Sequence, residues 1–273
     1  MKLTLTSIID GLLLGDGNLR SDSKISAIYQ MNASDPHGDF AELAARLFGQ
    51  FGFTGKSNRM PGGPRISRGK AFTAKPHTYF RTHAQVELLH HHKRWYHDGI
   101  KILPTDIDLA EPITLALWYM GDGNFQWVKG KAYNHGPVAR LHTNSFSEGE
   151  VDFLQAQLEA THGLCSTKIH WRGQPIISMG GIHSRKFLDL VRPHLVPSFD
   201  YKAPSGLWNF KKCVVCNEEI TGERGLRNTK YCENHIPKKL QNNMRYQAKN
   251  RNKYLESKQA RYRRATDAKA SLV

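Results

Sequence analysis

Two segments of the chain share one pattern, an apolar run of helical character that stops at Gly-Asp-Gly-Asn. The copies cover residues 8–18 and 114–124. An internal repeat of this kind predicts a fold built from two similar halves. A single Asp-Gly pair is typical of a turn, but a turn does not require the same four residues after the same kind of helix twice. The repeat therefore favours Asp16 and Asp122 as functional carboxylates.

The segments that follow the two copies correspond in order. Their apolar residues alternate or recur at helical spacing, as strands and helices require. After the first copy, a strand, a helix, a strand-like stretch and a helix are expected at residues 24–32, 39–51, 65–81 and 84–96. After the second, they are expected at residues 138–144, 148–162, 168–179 and 184–191. We expect an α+β fold in which each half has the order αββαββα and closes on a lysine, Lys101 or Lys202.

Local signals define the ends of the two motif helices. Pro112 suits a first helical turn, and Thr6 can cap the first helix. Gly17 and Gly123 can adopt the left-handed conformation that ends a helix. Each aspartate would then lie at a helix C-terminus, where the helix dipole disfavours negative charge by a few tenths to about 1 kcal/mol. A bound cation would remove this penalty, and paired carboxylates suit a hard divalent ion.

The two motifs resemble those of a known family. Residues 9–17 and 115–123 are similar to the motif of the LAGLIDADG homing endonucleases, with Asp16 and Asp122 at the acidic position before the last glycine. Residues 95–104 and 198–202 are also similar to family segments at these places, so the resemblance covers roughly residues 1–205. Asp10 and Leu117 depart from it, since small residues are usual there. Close contact of the two helices would depend on the remaining small residues, Gly11, Gly15, Ala116 and Gly121.

The resemblance implies a site-specific nuclease that makes a staggered double-strand break in DNA by metal-assisted hydrolysis. Asp16 and Asp122, with Gly15 and Gly121, would hold catalytic Mg²⁺. Lys101 and Lys202 are the candidate basic residues, which would polarise water or neutralise charge on the phosphate; the alternative is that they are surface lysines. Both repeats lie in one chain, so a monomer on a long double-stranded DNA target is expected.

The charge and the strand patterns favour nucleic acid as the partner. The chain has 39 Lys and Arg against 24 Asp and Glu, a formal net charge of +15, which attracts a polyanion. Side chains alternate between the two faces of a strand, so each of these strands is expected to have one polar face. The residues expected to point inward are Ala139, Leu141 and Thr143 on one strand and Ile169 and Trp171 on another. The candidate DNA-binding residues are Arg20, Lys24, Gln30, Asn32, Arg68, Lys70, Lys75, Arg81, Gln126, Arg140, His142, Asn144, Lys168, His170 and Arg172. Singly, each is as consistent with a solvated strand face.

The composition changes after residue 205. Two knuckles, one with Cys213 and Cys216 and one with Cys232 and His235, are separated by fifteen residues and suit one structural Zn²⁺. Cys165 stands apart and is expected to pack in the core. Beyond residue 238 the chain is basic, with tyrosines at 246, 254 and 262, and is expected to be helical or disordered. The predicted organisation is two repeats at 1–105 and 106–205, a zinc module at 206–237 and a tail at 238–273.

Two other functional classes stay open. An RNA-splicing maturase that binds intron RNA, or a non-cleaving DNA-binding regulator, could use the same fold. A zinc-containing nucleic-acid-binding protein in which both motifs are only turns is the third possibility, which the repeat disfavours. The longest apolar runs are too short to cross a membrane, and residues 1–4 do not open a signal peptide. We therefore expect a soluble, intracellular protein located with the genome on which it acts, without a membrane partner.

Overall fold

The chain folds into two compact units of mixed helices and antiparallel sheets. The computed structural model describes residues 3–21, 23–67, 69–128, 136–204, 213–216, 230–242, 244–246, 250, 251, 253, 256, 257 and 260. The first unit comprises the chain up to Gly123 together with Val191–Ala203, and the second comprises Asn124–Leu190 and the chain from Pro204 onward. The expected α+β class is confirmed. The predicted domain boundaries stay predictions.

The first unit contains four helices and a four-stranded sheet. Its elements are α1 (Leu5–Leu14), β1 (Asn18–Arg20), β2 (Ile28–Ser34), α2 (Gly38–Gly49), β3 (Gly55–Met60), β4 (Gly63–Ser67), β5 (Lys70–Ala74), β6 (His77–Thr82), α3 (Val86–Trp95), β7 (Tyr96–His97), β8 (Ile100–Lys101) and α4 (Pro112–Asp122). Two 3-10 helices follow in the returning segment, Arg192–His194 and Pro197–Lys202. The sheet has the order β1-β2-β6-β3, and β4-β5 and β7-β8 form separate hairpins.

The second unit repeats the sheet and helix arrangement, with a two-residue turn between its last two strands where the first unit has the β4-β5 hairpin. Its elements are β9 (Gly123–Val128), β10 (Gly136–His142), α5 (Glu148–His162), β11 (Thr167–Trp171), β12 (Gln174–Gly180) and α6 (Gly181–Val191), and a 3-10 helix lies at Glu233–His235. The strand order is β11-β12-β10-β9. Helix α5 begins with a capping box between Ser147 and Glu150 and ends at Gly163 in the left-handed conformation, φ 63°. These local signals place it at the predicted residues.

Helices α1 and α4 pack closely because their glycines bring the two backbones together. A Cβ atom on Gly11 would lie 2.5 Å from the carbonyl oxygen of Thr114, and one on Gly121 would lie 2.9 Å from the backbone nitrogen of Asp16. Leu117 is accommodated opposite Gly11, whose missing side chain leaves it room. The close contact expected from the small residues is therefore present at Gly11 and Gly121.

Several local expectations were wrong. The side chain that caps α1 is that of Thr4, not Thr6; it forms a capping box with Ser7. Gly17 and Gly123 do not have positive φ angles. They are glycines because neighbouring atoms fill the space of a side chain: a Cβ on Gly123 would lie 1.9 Å from the ring of Tyr119.

The strands of the first half also differ from the expected ones. Lys24 lies in a bend before β2, which starts at Ile28. The strand-like stretch at residues 65–81 belongs to β4, β5 and β6, while β3 pairs with β6 along its whole length. Helix α2 covers the inner face of the sheet, where the rings of Tyr29 and Phe48 lie 4.7 Å apart. On the opposite face, Asn32 and Ser34 of β2 are exposed.

Candidate active site and nucleic-acid interface

The two motif aspartates come together where α1 and α4 end. Asp122 is the last residue of α4, and Asp16 follows the C-cap residue Gly15 of α1. Gly15 and Gly121 pack against each other here, since a Cβ on Gly121 would lie 2.9 Å from the Cα atom of Gly15. Asp16 is exposed and Asp122 is partly buried. The helix contact therefore brings the two repeated carboxylates into one site.

The environment of Asp122 disfavours its negative charge. Burial, and then the nearby charge of Asp16, raise the pKa of Asp122 to about 6, although Lys101 and Lys202 lower it. Two carboxylates held together at helix C-termini carry an electrostatic cost that a cation would relieve. The lysines offset only part of this cost.

Lys202 reaches this site from the returning segment of the first unit. Its side chain is buried, and its Nζ atom donates to the carbonyl oxygens of Tyr119 at 3.1 Å and Met120 at 2.8 Å. Nζ also lies 4.7 Å from the centre of the Phe199 ring. Desolvation lowers the pKa of Lys202 to about 8, against the opposing effect of Asp16 and Asp122. The ammonium group thus caps the last turn of α4.

Tyr119 completes this contact from the helix side. Its buried hydroxyl donates to the carbonyl oxygen of Lys202 at 2.7 Å. Tyr119 and Lys202 therefore bind each other twice, once through the tyrosine hydroxyl and once through the lysine ammonium group. The sequence gives no sign of this pair, because the two residues are 83 positions apart.

Lys101 approaches from strand β8. It is partly buried, and its Nζ atom lies 5.8 Å from the centre of the Trp95 ring. Desolvation lowers the pKa of Lys101 to about 8, while Asp122 and Asp16 act to raise it. The structure therefore brings together all four residues that the sequence selected for catalysis, Asp16, Asp122, Lys101 and Lys202, within the first unit.

Asp10 is a residue whose contacts the sequence did not predict. Its side chain is fully buried, and its carboxylate accepts from the Arg94 guanidinium group. It also accepts from the indole N–H of Trp95 at 2.9 Å and the backbone N–H of Asp108 at 2.9 Å. A carboxylate can replace the usual small residue here because these donors compensate its lost hydration.

The outer face of the first sheet is polar and basic. The strand register puts Gln30 opposite both Asn18 and Arg81, and Lys56 opposite Arg81, so these residues share one face. Of the candidates, Arg20, Gln30, Asn32 and Arg81 lie on this face. The sequence reasoning missed Lys56, Asn58, His77 and Tyr79, which lie there too; the alternation in residues 55–60 and 77–82 could have identified them.

The other candidates of the first half lie elsewhere. Lys24 is exposed in the bend before β2, and Lys75 is exposed in the connection before β6. Lys70 begins β5 in the outlying hairpin, and Arg68 lies outside the described residues.

Five candidates of the second half lie on strands β9 and β10 or in the segments next to the strands. Arg140 and His142 alternate with the fully buried Ala139 and Leu141, as expected, and Gln126 is exposed on β9. Asn144 is exposed just beyond the end of β10. Arg172 is exposed in the β11–β12 turn, where its φ of 53° is in the left-handed region.

The expected orientation of strand β11 was wrong. Lys168 pairs with Ile177, which in turn pairs with Leu141, so Lys168 lies on the face that α5 covers. Its Nζ atom contacts Glu148 at 2.5 Å and Asp152 at 3.0 Å. His170 lies on the same face, 2.6 Å from Glu148. Trp171, expected inside, is 53% exposed on the opposite face.

A cluster of four ligand-type side chains lies in the second unit. The ligand atoms of Cys213, Cys216, Cys232 and His235 all lie within 4.8 Å of one another. The backbone N–H of Val214 donates to the carbonyl oxygen of Lys230 and joins the two knuckles. Desolvation would raise the pKa of the Cys213 thiol, but backbone N–H groups, that of Cys232 foremost, lower it to about 6. Ionised thiols are the form that binds zinc.

The described part of the tail contacts α5. The guanidinium group of Arg251 pairs with the carboxylate of Glu159, with one nitrogen-to-oxygen distance of 2.9 Å. Tyr246 is 72% exposed, and the other two tail tyrosines, Tyr254 and Tyr262, lie outside the described residues. Cys165 is only partly buried and its thiol lies 3.3 Å from Glu159. Among the described helices, none is long and apolar enough to cross a membrane.

Comparison with known proteins places this geometry in a family. The uncharacterised protein MJ1098 of Methanocaldococcus jannaschii is 29% identical over 202 residues, which cover 72% of this chain and 72% of that protein. The cytochrome b mRNA maturase bI2 of Debaryomyces hansenii is 36% identical over 115 residues. That match covers 41% of this chain and only 40% of the maturase.

A solved structure has the same fold. The homing endonuclease I-WcaI bound to its DNA recognition sequence aligns with a TM-score of 0.58 at 21% identity, covering 74% of this chain and 88% of that one. The sequence profile of the LAGLIDADG DNA endonuclease family matches residues 6–187, a span that contains both aspartates and Lys101. The chain therefore belongs to the LAGLIDADG DNA endonuclease family.

Proposed function

We propose that the chain is a homing endonuclease that cuts both strands of a long, specific DNA site and leaves a staggered break. The observation that carries the proposal is the meeting of Asp16 and Asp122 at the glycine contact of α1 and α4, beside two lysines of lowered pKa. Family membership supports the same reaction. Carboxylates and lysines gathered at one point suit hydrolysis of a phosphodiester.

The residues of the site fit Mg²⁺. Asp16 and Asp122 offer carboxylate oxygens, and Gly15 and Gly121 offer backbone carbonyl oxygens, which are the donors that hard divalent ions prefer. The raised pKa of Asp122 supports this fit, because a nearby cation would favour the charged form of the carboxylate. Bound Mg²⁺ would supply charge neutralisation to the attacking water and the scissile phosphate.

Lys101 and Lys202 have distinct roles in this proposal. Lys202 donates two hydrogen bonds to carbonyl oxygens of α4, so its ammonium group is held in place, where it would stabilise negative charge on the phosphate. Both lysines have a pKa of about 8 and can hold or release a proton near neutral pH, and the Nζ atom of Lys101 lies against the ring of Trp95. We assign Lys101 to the water that attacks the phosphate.

The outer sheet faces form the proposed DNA interface. The long polar side chains on them suit base edges and phosphates in the major groove. We assign to it Arg20, Gln30, Asn32, Lys56, Asn58, Tyr79 and Arg81 of the first unit, and Gln126, Arg140, His142, Asn144 and Arg172 of the second. Lys168 and His170 are left out because both side chains already pair with the carboxylate of Glu148.

The Cys213, Cys216, Cys232 and His235 cluster is proposed to hold one structural Zn²⁺. Three thiols and an imidazole are a common tetrahedral zinc set, and the spacing of the four ligand atoms is compatible with one ion. Because both motifs are in one chain, we propose that the protein acts as a monomer. The basic tail would add salt-dependent affinity for phosphates.

Cleavage selection tests the proposal. Purified protein and Mg²⁺ are incubated with a plasmid library that carries randomised inserts, and the newly formed ends are sequenced. We expect one long target with a staggered cut. Asp16→Asn and Asp122→Asn should abolish cleavage of that target and keep its binding, whereas Asp106→Asn, an exposed carboxylate outside the site, should cut normally. Binding of one sequence without cleavage under Mg²⁺ or Mn²⁺ would show a DNA-binding regulator instead.

RNA splicing is the second candidate function. It is favoured by the 36% identity to a cytochrome b mRNA maturase. The test is a splicing assay in which the transcript of the DNA flanking the coding sequence is incubated with the protein. Acceleration of splicing that persists in Asp16→Asn would show an RNA activity independent of cleavage.

A further inference from the structure

Asp10 is the residue of the first motif that departs most clearly from the family, and the proposed mechanism does not use it. Its carboxylate is fully buried on α1, where an ionised group without partners would be strongly unfavourable. Four donor N–H groups compensate it: two from Arg94, one from the Trp95 indole and one from the Asp108 backbone. So complete a set of donors indicates a specific anchoring point.

The donors come from both ends of one segment. Arg94 and Trp95 end helix α3, and Asp108 follows strand β8. Arg94 also donates to the side chain and the carbonyl oxygen of Asp106. The segment between these anchors contains the β7-β8 hairpin, and this hairpin carries Lys101. Asp10 therefore fastens to α1 both ends of the segment that presents Lys101.

Trp95 is the direct link between Asp10 and the lysine. The indole N–H bond to Asp10 fixes the rotation of the ring, which is completely buried. The Nζ atom of Lys101 lies 5.8 Å from the centre of that ring, within the range of a cation–π contact. The carbonyl oxygen of Trp95 also accepts from the backbone N–H of Ile102 at 2.8 Å. The backbone of Trp95 thus fixes the main chain next to Lys101, and its ring contacts the ammonium group of Lys101.

The helix that carries the anchor leads directly into the carboxylate that Lys101 is proposed to serve. Asp10 lies within α1, and Asp16 follows the C-cap residue Gly15 of that helix. We propose that Asp10 is a positioning residue that, through Trp95, sets the ammonium group of Lys101 relative to Asp16. The inference rests on the proposed function, because it concerns the rate of DNA cleavage. It assigns to Asp10 no contact with DNA or metal.

A double-mutant cycle on cleavage tests this role. Single-turnover rates on the duplex recovered by cleavage selection are compared for the wild type, Asp10→Asn, Lys101→Met and the double variant. We expect Asp10→Asn to slow cleavage by about tenfold or more, since small displacements of catalytic groups have effects of this order. In the Lys101→Met background the same change should slow cleavage by less than about twofold, because the group that Asp10 positions is gone. DNA affinity should stay within about threefold.

Asp106→Asn is the matched control. It removes the exposed partner of Arg94 and leaves Asp10 intact, so its cleavage rate should stay within about twofold of the wild type. If Asp10→Asn does not fold, the double variant Asp10→Leu with Arg94→Met removes the buried pair without leaving a lone charge. This double variant then takes the place of Asp10→Asn, with and without Lys101→Met.

The possible results are distinct. If Asp10→Asn slows DNA cleavage equally in the wild-type and Lys101→Met backgrounds, the positioning role is overturned, although the proposed nuclease function would stand. Normal cleavage by folded Asp10→Asn would overturn the positioning role as well. A wild type that binds the target and never cuts would overturn the proposed function itself, and this inference with it.

Discussion

Replacing Tyr119 with phenylalanine removes one atom from the contact that holds Lys202. The tyrosine hydroxyl donates to the carbonyl oxygen of Lys202 at 2.7 Å, and both side chains are buried. The phenylalanine ring keeps the packing against the lysine ammonium group, which lies 5.7 Å from the ring centre. The substitution therefore isolates the hydrogen bond from the aromatic contact.

The expected loss of stability follows from what is left behind. The hydrogen bond is lost, and the phenylalanine ring offers no donor to the buried carbonyl oxygen of Lys202. Together these two effects cost about 1–3 kcal/mol. The Tyr119→Phe variant should lose that amount in its free energy of unfolding, measured by urea denaturation followed by circular dichroism. The urea m-value should not change, since the buried area is nearly the same.

Tyr29 provides the matched control for this substitution. It is also fully buried, but its hydroxyl has no hydrogen-bond partner among the described residues. Removing an unpaired buried hydroxyl relieves a desolvation cost, so Tyr29→Phe should leave the free energy of unfolding unchanged or raise it by about 1 kcal/mol. An equal loss in the two variants, or a larger loss at Tyr29, would refute the assignment of the Tyr119 bond.

Three further predictions concern the metal sites and the interface. Because the pKa of Asp122 is raised to about 6, the folded protein holds this proton more tightly than the unfolded chain, and the carboxyl lowers stability above that pH. Thermal unfolding in metal-free buffer should therefore show Asp122→Asn more stable than the wild type above about pH 7, with the difference fading toward about pH 4; Mg²⁺ should stabilise only the wild type. Cys232→Ser should lose the bound zinc found by elemental analysis of the purified protein, whereas Cys165→Ser should retain it. Arg81→Gln should weaken DNA binding and reduce its salt dependence by about one counterion, while Lys168→Gln should leave filter-binding curves unchanged, since Glu148 and Asp152 already neutralise that lysine.

The parts of the fold that local chemistry determines could be predicted from the sequence. The capping box and terminal glycine of α5 define its ends within the chain itself. The repeat likewise selected Asp16 and Asp122, because paired motifs imply paired surroundings. Lys101 and Lys202 were selected by their equivalent places in the two halves, and the structure brings both to the aspartates.

What escaped prediction depends on contacts between distant residues. Alternation separates the two faces of β11 but does not say which face a helix covers, so Lys168 and Trp171 were assigned to the wrong sides. The donors to Asp10 come from positions 84–98 residues away. The arginine, tryptophan and backbone N–H that make a buried carboxylate tolerable become visible only when α1, α3 and the segment after β8 are brought together.

The glycine contact between α1 and α4 restricts how such a nuclease can be re-engineered. Backbone atoms already occupy the space where Gly11 and Gly121 would carry a methyl group. A chimaera that joins one motif helix of this chain to the other helix of a relative must match two main chains at those points, and a misfit of one methyl group would separate the carboxylates. The two helices should therefore be transferred as a pair, and changes of DNA specificity are better confined to the sheet faces.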